Sequence, residues 1–144
     1  MLIGEYKHNL DPKKRLSIPS KFRKELGEGA VLTRGFDSCL FLFPSQYWTP
    51  FAEMLGGLSI AKKDTRSFAR FFLSKASEVE FDSLGRILIP DSLKNHAGLK
   101  KKVVIAGLFN RLEIWDEEKW NAYGSELEKN SDSIAEKLGE LGII

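Results

Sequence analysis

Asn9-Leu10-Asp11-Pro12-Lys13-Lys14-Arg15-Leu16-Ser17-Ile18-Pro19 returns 71 positions later as Glu80-Phe81-Asp82-Ser83-Leu84-Gly85-Arg86-Ile87-Leu88-Ile89-Pro90. Acid, arginine, an alternating apolar pair and a proline recur in the same order. Further on, Gly35, Leu40, Leu42, Phe43 and Trp48 match Gly107, Leu112, Ile114, Trp115 and Trp120 at a shift of 72, so one residue has entered a loop. Two copies of one unit in a single chain imply a pseudo-two-fold body, built as two identical chains build a dimer.

Working outward, the repeat divides the 144 residues into a first copy at 5–48, a linker at 49–73, a second copy at 76–120 and a tail at 121–144. All belong to one pseudo-symmetric domain, the size expected of a single core. Within each copy the apolar alternation of Leu16-x-Ile18 and Ile87-x-Ile89 predicts a half-buried strand. Pro19 and Pro90 end that strand and open a short helix, where a missing N–H costs nothing. Those helices are expected over Lys21–Leu26 and Asp91–Ala97, each closed by a glycine, Gly27 or Gly98. Strands are expected over Leu2–Tyr6, Ala30–Arg34 and Cys39–Phe43, and again over Ser77–Phe81, Lys102–Ala106 and Arg111–Trp115.

A helix follows each copy. Asp116 is a good N-cap for the second, with Glu117 and Glu118 in its first turn. In the linker, Asp64–Leu73 spaces Phe68, Phe71 and Phe72 on one helical face, and Lys62, Arg66 and Arg70 lie four apart on another. The tail, Ser131–Leu141, carries Ile134, Leu138 and Leu141 on one stripe, suited to its own domain or to a neighbouring subunit. Short strands with peripheral helices define an α+β chain.

Charge is polar along the chain. The net value is only +2, yet residues 7–24 carry seven bases against Asp11 alone, and residues 109–144 carry four bases against nine acids. A basic start and an acidic end give one surface suited to polyanions. One cysteine, Cys39, excludes a disulfide framework and sits in an apolar strand as a buried thiol. His8 and His96 lack partners at ligand spacing, so no metal and no cofactor is expected. Trp48, Trp115 and Trp120 are expected in the core or at subunit contacts. No basic region precedes an apolar run at the start, and the longest uncharged stretch, 38–52, is broken by two prolines. A cytoplasmic protein without signal peptide or membrane span is expected.

The Asp-x-x-x-Arg turns concentrate the chemistry. Asp11 and Asp82 cap backbone N–H groups and orient the turn, and each carboxylate holds a guanidinium, Arg15 or Arg86, in a fixed fork. A purely structural pair is the simpler reading for one copy. Two copies about an axis bring the turns together, presenting Lys13, Lys14, Arg15 and Arg86 as one basic site.

The duplicated Asp-x-x-x-Arg with its Leu/Ile-x-Ile-Pro continuation closely resembles the MraZ family of bacterial division and cell-wall gene clusters. So do the Arg34-Gly35-Phe36-Asp37 turn, Lys63-Asp64-Thr65-Arg66 and Leu112-Glu113-Ile114-Trp115. The resemblance spans essentially the whole chain. It implies a double-copy AbrB-like swapped-hairpin β-barrel, assembled into a ring of several subunits. It also implies a nucleoid-associated transcriptional regulator of double-stranded DNA. The DNA would be short G-containing direct repeats upstream of the operon, bound through the arginines that match Arg15 and Arg86. In chemical terms the arginines suit guanine O6 and N7, and Lys13 and Lys14 suit phosphates. The second turn has Ser83-Leu84-Gly85, which leaves open whether both halves contact bases equally.

Two other classes compete. An aspartyl enzyme would pair Asp11 with Asp82, but neither is followed by a small hydroxyl residue and then glycine, and an adjacent arginine lowers an acid's pKa. No catalytic residue and no small-molecule substrate is therefore expected. A protein-interaction ring or antitoxin-like module is the other, although such antitoxins have one barrel copy and a disordered tail.

Overall fold

A computed structural model describes all 144 residues, Met1–Ile144. The first copy supplies β1 (Leu2–Asn9), β2 (Arg15–Ser17), α1 (Ser20–Leu26), β3 (Val31–Arg34) and β4 (Leu40–Phe43). Two helices follow, α2 (Ser45–Gly56) and α3 (Lys63–Leu73). The second copy repeats the order with β5 (Ser77–Glu78), β6 (Arg86–Leu88), α4 (Asp91–Ala97), β7 (Lys102–Phe109) and β8 (Leu112–Asp116). A 24-residue helix, α5 (Glu117–Glu140), closes the chain.

The copies interlock. A six-stranded antiparallel sheet runs β1-β7-β8-β4-β3-β5, and β2 pairs with β6 in a second sheet. Exchange of the two copies leaves the six-strand order unchanged. Only the hairpins β3–β4 and β7–β8 form within a copy; β1–β7, β2–β6, β3–β5 and β4–β8 all cross between copies. The register fixes the pseudo-dyad. Leu16 pairs with its own counterpart Ile87, and Phe41 with its counterpart Glu113, so the axis passes through both pairs. The repeat implied the pseudo-two-fold, and this is the double-copy AbrB-like barrel that the resemblance implied.

The core follows the same symmetry. Leu16 and Ile87, Ile18 and Ile89, Phe22 and Leu93, Leu40 and Leu112, and Leu42 and Ile114 are buried in one cluster of 20 residues. Each such side chain contributes ~1.5–3 kcal/mol by leaving water. Half of that core comes from each copy, so neither copy has a core of its own. A second cluster, around Phe41, Phe43, Phe72 and Trp115, packs the linker helices on the sheet. The Thr33 hydroxyl donates to Phe72 O at 2.6 Å, and Arg34 Nε donates to Phe71 O at 2.8 Å. These bonds tie the end of α3 to β3. Of the three phenylalanines on α3, Phe72 is buried and Phe68 stays 37% exposed.

Four elements differ from the sequence reading by more than one residue at an end. β1 continues to Asn9 and β7 to Phe109, because the two pair along their full lengths. Gly107 permits that approach, since a Cβ there would lie 2.6 Å from Ile3 N. β5 ends at Glu78 rather than Phe81; after Val79 N bonds Ala30 O at 2.9 Å the chain leaves the edge. The last helix and the tail stripe form one continuous α5, with Asp116 as its N-cap accepting from Lys119 N. α5 is anchored at its start by Trp120, whose Nε1 donates to Glu5 at 2.6 Å, and it has no buried residue. No helix is long and apolar enough to cross a membrane.

Candidate nucleic-acid interface

The two Asp-x-x-x-Arg turns are built alike. In the first, Asp11 Oδ1 accepts from Lys13 N at 2.9 Å and Arg15 N at 2.8 Å, and Oδ2 accepts from Arg15 Nε at 2.7 Å. In the second, Asp82 Oδ1 accepts from Leu84 N and Arg86 N at 2.9 Å, and Oδ2 from Arg86 Nε at 2.7 Å. Each loop is closed by an N–H···O bond of 3.0 Å from the aspartate to the arginine carbonyl. The tight bend needs a left-handed residue, Lys14 at φ 62° in one copy and Gly85 at φ 75° in the other.

The strand pairing locks the turns together. Ile18 N donates to Gly85 O at 3.1 Å, and its counterpart Ile89 N donates to Lys14 O at 2.8 Å. Arg86 Nη1 lies 3.9 Å from Asp11 Oδ2, the oxygen that already holds Arg15. Arg15, Arg86, Asp11 and Asp82 thus form one cluster beside the pseudo-dyad. The aspartates grip the guanidiniums through Nε, and the Nη1 and Nη2 ends make no hydrogen bond within the chain. That free edge carries parallel N–H donors, the geometry that pairs with phosphate oxygens or with guanine O6 and N7.

Electrostatics support a permanently charged site. The Arg15 backbone N–H, and then its guanidinium, hold the Asp11 carboxyl below the usual carboxylate range, against partial desolvation. The Arg86 backbone N–H and guanidinium do the same for Asp82. A shared-proton acid pair needs one carboxyl raised. Two acids that are both lowered, each by its own arginine, do not supply it.

The lysines are less alike than the sequence implied. Lys13 is exposed, and its ammonium makes no ion pair within the chain. The Lys14 ammonium instead turns to Asp91, at the start of α4, and that contact lowers the Asp91 pKa. Sequence reasoning missed this partner because Asp91 lies 77 positions away. It also missed Lys94, Lys100 and Lys101, which line a surface hollow with Asp11, Pro12 and Lys14. The run Lys100-Lys101-Lys102 was visible, but only the β1–β7 pairing brings it beside the first turn.

The remaining singled-out residues lie elsewhere. His96 Nε2 bonds Gly35 O at 3.1 Å and its ring stands edge-on to Phe71. The Cys39 thiol is fully buried, donates to Phe36 O at 3.1 Å, and has its pKa pushed up by burial. Trp115 is core, and Trp120 and Trp48 pack at its margin.

A duplicated swapped-hairpin barrel carrying paired arginine forks at its axis defines a double-copy AbrB-like protein. The family model described as "MraZ protein, putative antitoxin-like" matches the chain twice, over residues 1–71 and 72–139. The chain is 49% identical over 138 residues to the transcriptional regulator MraZ of Ligilactobacillus salivarius, covering 96% of each protein. It is 48% identical over 143 residues to the transcriptional regulator MraZ of Halothermothrix orenii, and 50% identical over 143 residues to that of Alkaliphilus oremlandii. Both alignments cover 99% of this chain and 100% of the relative. The chain belongs to the MraZ family.

Proposed function

We propose that this chain is a sequence-specific DNA-binding transcriptional regulator, acting in the cytoplasm on the nucleoid. Its targets are short G-containing direct repeats upstream of its own operon in the division and cell-wall cluster. Arg15 and Arg86 read bases, Lys13 and Lys14 hold phosphate, and Asp11 and Asp82 orient the turns. One observation carries the reading: two guanidiniums, each fixed through Nε by its own aspartate, lie beside one axis with Nη groups that make no hydrogen bond within the chain, Arg86 Nη1 standing 3.9 Å from Asp11. Such preorganised forks discriminate by ~1–3 kcal/mol per bidentate base pair.

One subunit with a net charge of +2 binds weakly. A ring of subunits on several repeats multiplies that binding by ~10²–10⁴ when the spacings agree. The exposed Leu127 and Ile134 on α5, with Leu141 just past its end, give the subunits an apolar surface for association. In this reading residues 5–48 and 76–120 are the two DNA-facing copies, 49–73 braces the sheet, and 121–144 serves assembly. Fluorescence anisotropy against the duplex upstream of its gene, with a scrambled duplex as control, tests the proposal. Tight binding to the native duplex alone is expected, lost in Arg15→Ala and Arg86→Ala. Equal weak binding to both, unchanged in the variants, would reduce the site to a polyanion surface and leave a protein-interaction ring.

A further inference from the structure

Arg23, in α1, carries the one buried side-chain nitrogen in the chain without a hydrogen-bond partner, its Nε. Its guanidinium lies over the second turn. A Cβ at Gly85 would collide with Arg23 Nη1 and Cζ. Gly85 is the counterpart of Lys14, so the guanidinium fills the space where, in the first turn, the lysine side chain begins.

The surroundings differ in charge as well. Lys14 is ion-paired to Asp91. The counterpart of Asp91 is Ser20, which is neutral, and Arg23 makes no ion pair with any carboxylate of the chain. A cation buried at one nitrogen, unneutralised, and packed on a DNA-facing loop is costly unless its outer nitrogens meet an anion from outside.

Resting on the DNA-binding reading above, we infer that Arg23 is the phosphate-holding group of the second turn. It replaces, from a neighbouring helix, the lysine that residue 85 does not provide. The second turn is therefore basic in space although its own Ser83-Leu84-Gly85 is uncharged. Arg23 positions the duplex and carries no base preference.

The test is an anisotropy titration at several salt concentrations, on the upstream duplex and a scrambled duplex, with melting temperatures in parallel. Arg23→Ala, Arg23→Gln and the double variant Arg23→Ala/Gly85→Lys are compared with wild type. Arg23→Ala is expected to weaken binding to both duplexes alike, roughly threefold to tenfold, and to flatten the log K against log salt slope by ~0.9. Gly85→Lys in that background is expected to restore the slope, since Lys14 shows that the turn accepts lysine at positive φ. Should Arg23→Ala fail to fold, Arg23→Gln keeps the bulk without the charge and must show the same flattening. A lower melting temperature with unchanged affinity and slope would make Arg23 a packing residue and overturn the inference. A change confined to the native duplex would make it a base reader and overturn it equally. Wild type that binds neither duplex would instead overturn the DNA-binding reading on which this rests.

Discussion

The first and second turns share a backbone and a fork but not a charge. Asp11–Arg15 and Asp82–Arg86 have the same 2.7 Å Nε contact and the same pair of N–H bonds to Oδ1. Between them, the positions held by Lys13 and Lys14 in the first turn are held by Leu84 and Gly85 in the second, and Leu84 is 67% exposed. Aspartate fixes the loop through backbone groups, so the residues between acid and arginine are free to differ without moving the guanidinium. Under the proposed function the two halves are equivalent as readers and differ in where their anchoring charge comes from, the turn itself in one and α1 in the other.

The largest expected difference lies in base reading. Arg15→Ala and Arg86→Ala should each cost ~1–3 kcal/mol of discrimination between native and scrambled duplex. The two losses should be similar, as competition titrations would measure. A loss from Arg15→Ala alone would break the equivalence of the forks.

Anchoring comes next. Lys13→Ala should weaken native and scrambled binding alike and reduce the salt slope by ~0.9. Leu84→Lys at the matching position should steepen it by a similar amount. If Lys13→Ala relaxed sequence preference more than Arg15→Ala, the division between reading and anchoring would be wrong.

The aspartates act on stability through pH. Both have folded pKa values below their unfolded ones. Their stabilisation is therefore complete above the unfolded carboxylate value of ~3.9 and is lost as pH falls through the lower folded values. Melting curves of wild type should drop on acidification below about pH 4, and Asp11→Asn/Asp82→Asn should show a flatter acid limb. An identical limb in the variant would show that other acids dominate it.

The smallest effect concerns the bend. Lys14→Gly removes a left-handed lysine, worth up to ~1 kcal/mol, and also removes an exposed ion pair that contributes little. A rise in melting temperature of roughly 3 °C is expected.

Much of this was legible in the chain because the repeat is also the fold. A shift of 71 places Leu16 against Ile87, and the register pairs those very residues. The forks were legible because aspartate and arginine are only four residues apart, close enough for a local turn to settle the contact. What stayed hidden depends on elements brought together from afar. The length of β1 is decided by β7, and the partner of Lys14 sits on α4. Arg23 reaches the second turn from α1, across the copy boundary, where neither periodicity nor spacing points. The continuity of α5 was obscured by Gly124 and the polar run after it, which the helix passes through without breaking.

Under the proposed function the paired forks read guanine through its O6 and N7. The most direct measurement uses the upstream duplex with its guanines replaced by 7-deazaguanine, which lacks the N7 acceptor. Wild type should lose at least about tenfold in affinity on the substituted duplex. Arg15→Ala/Arg86→Ala should bind the substituted and natural duplexes equally. Wild type binding both duplexes with the same affinity would show that the forks do not read guanine N7.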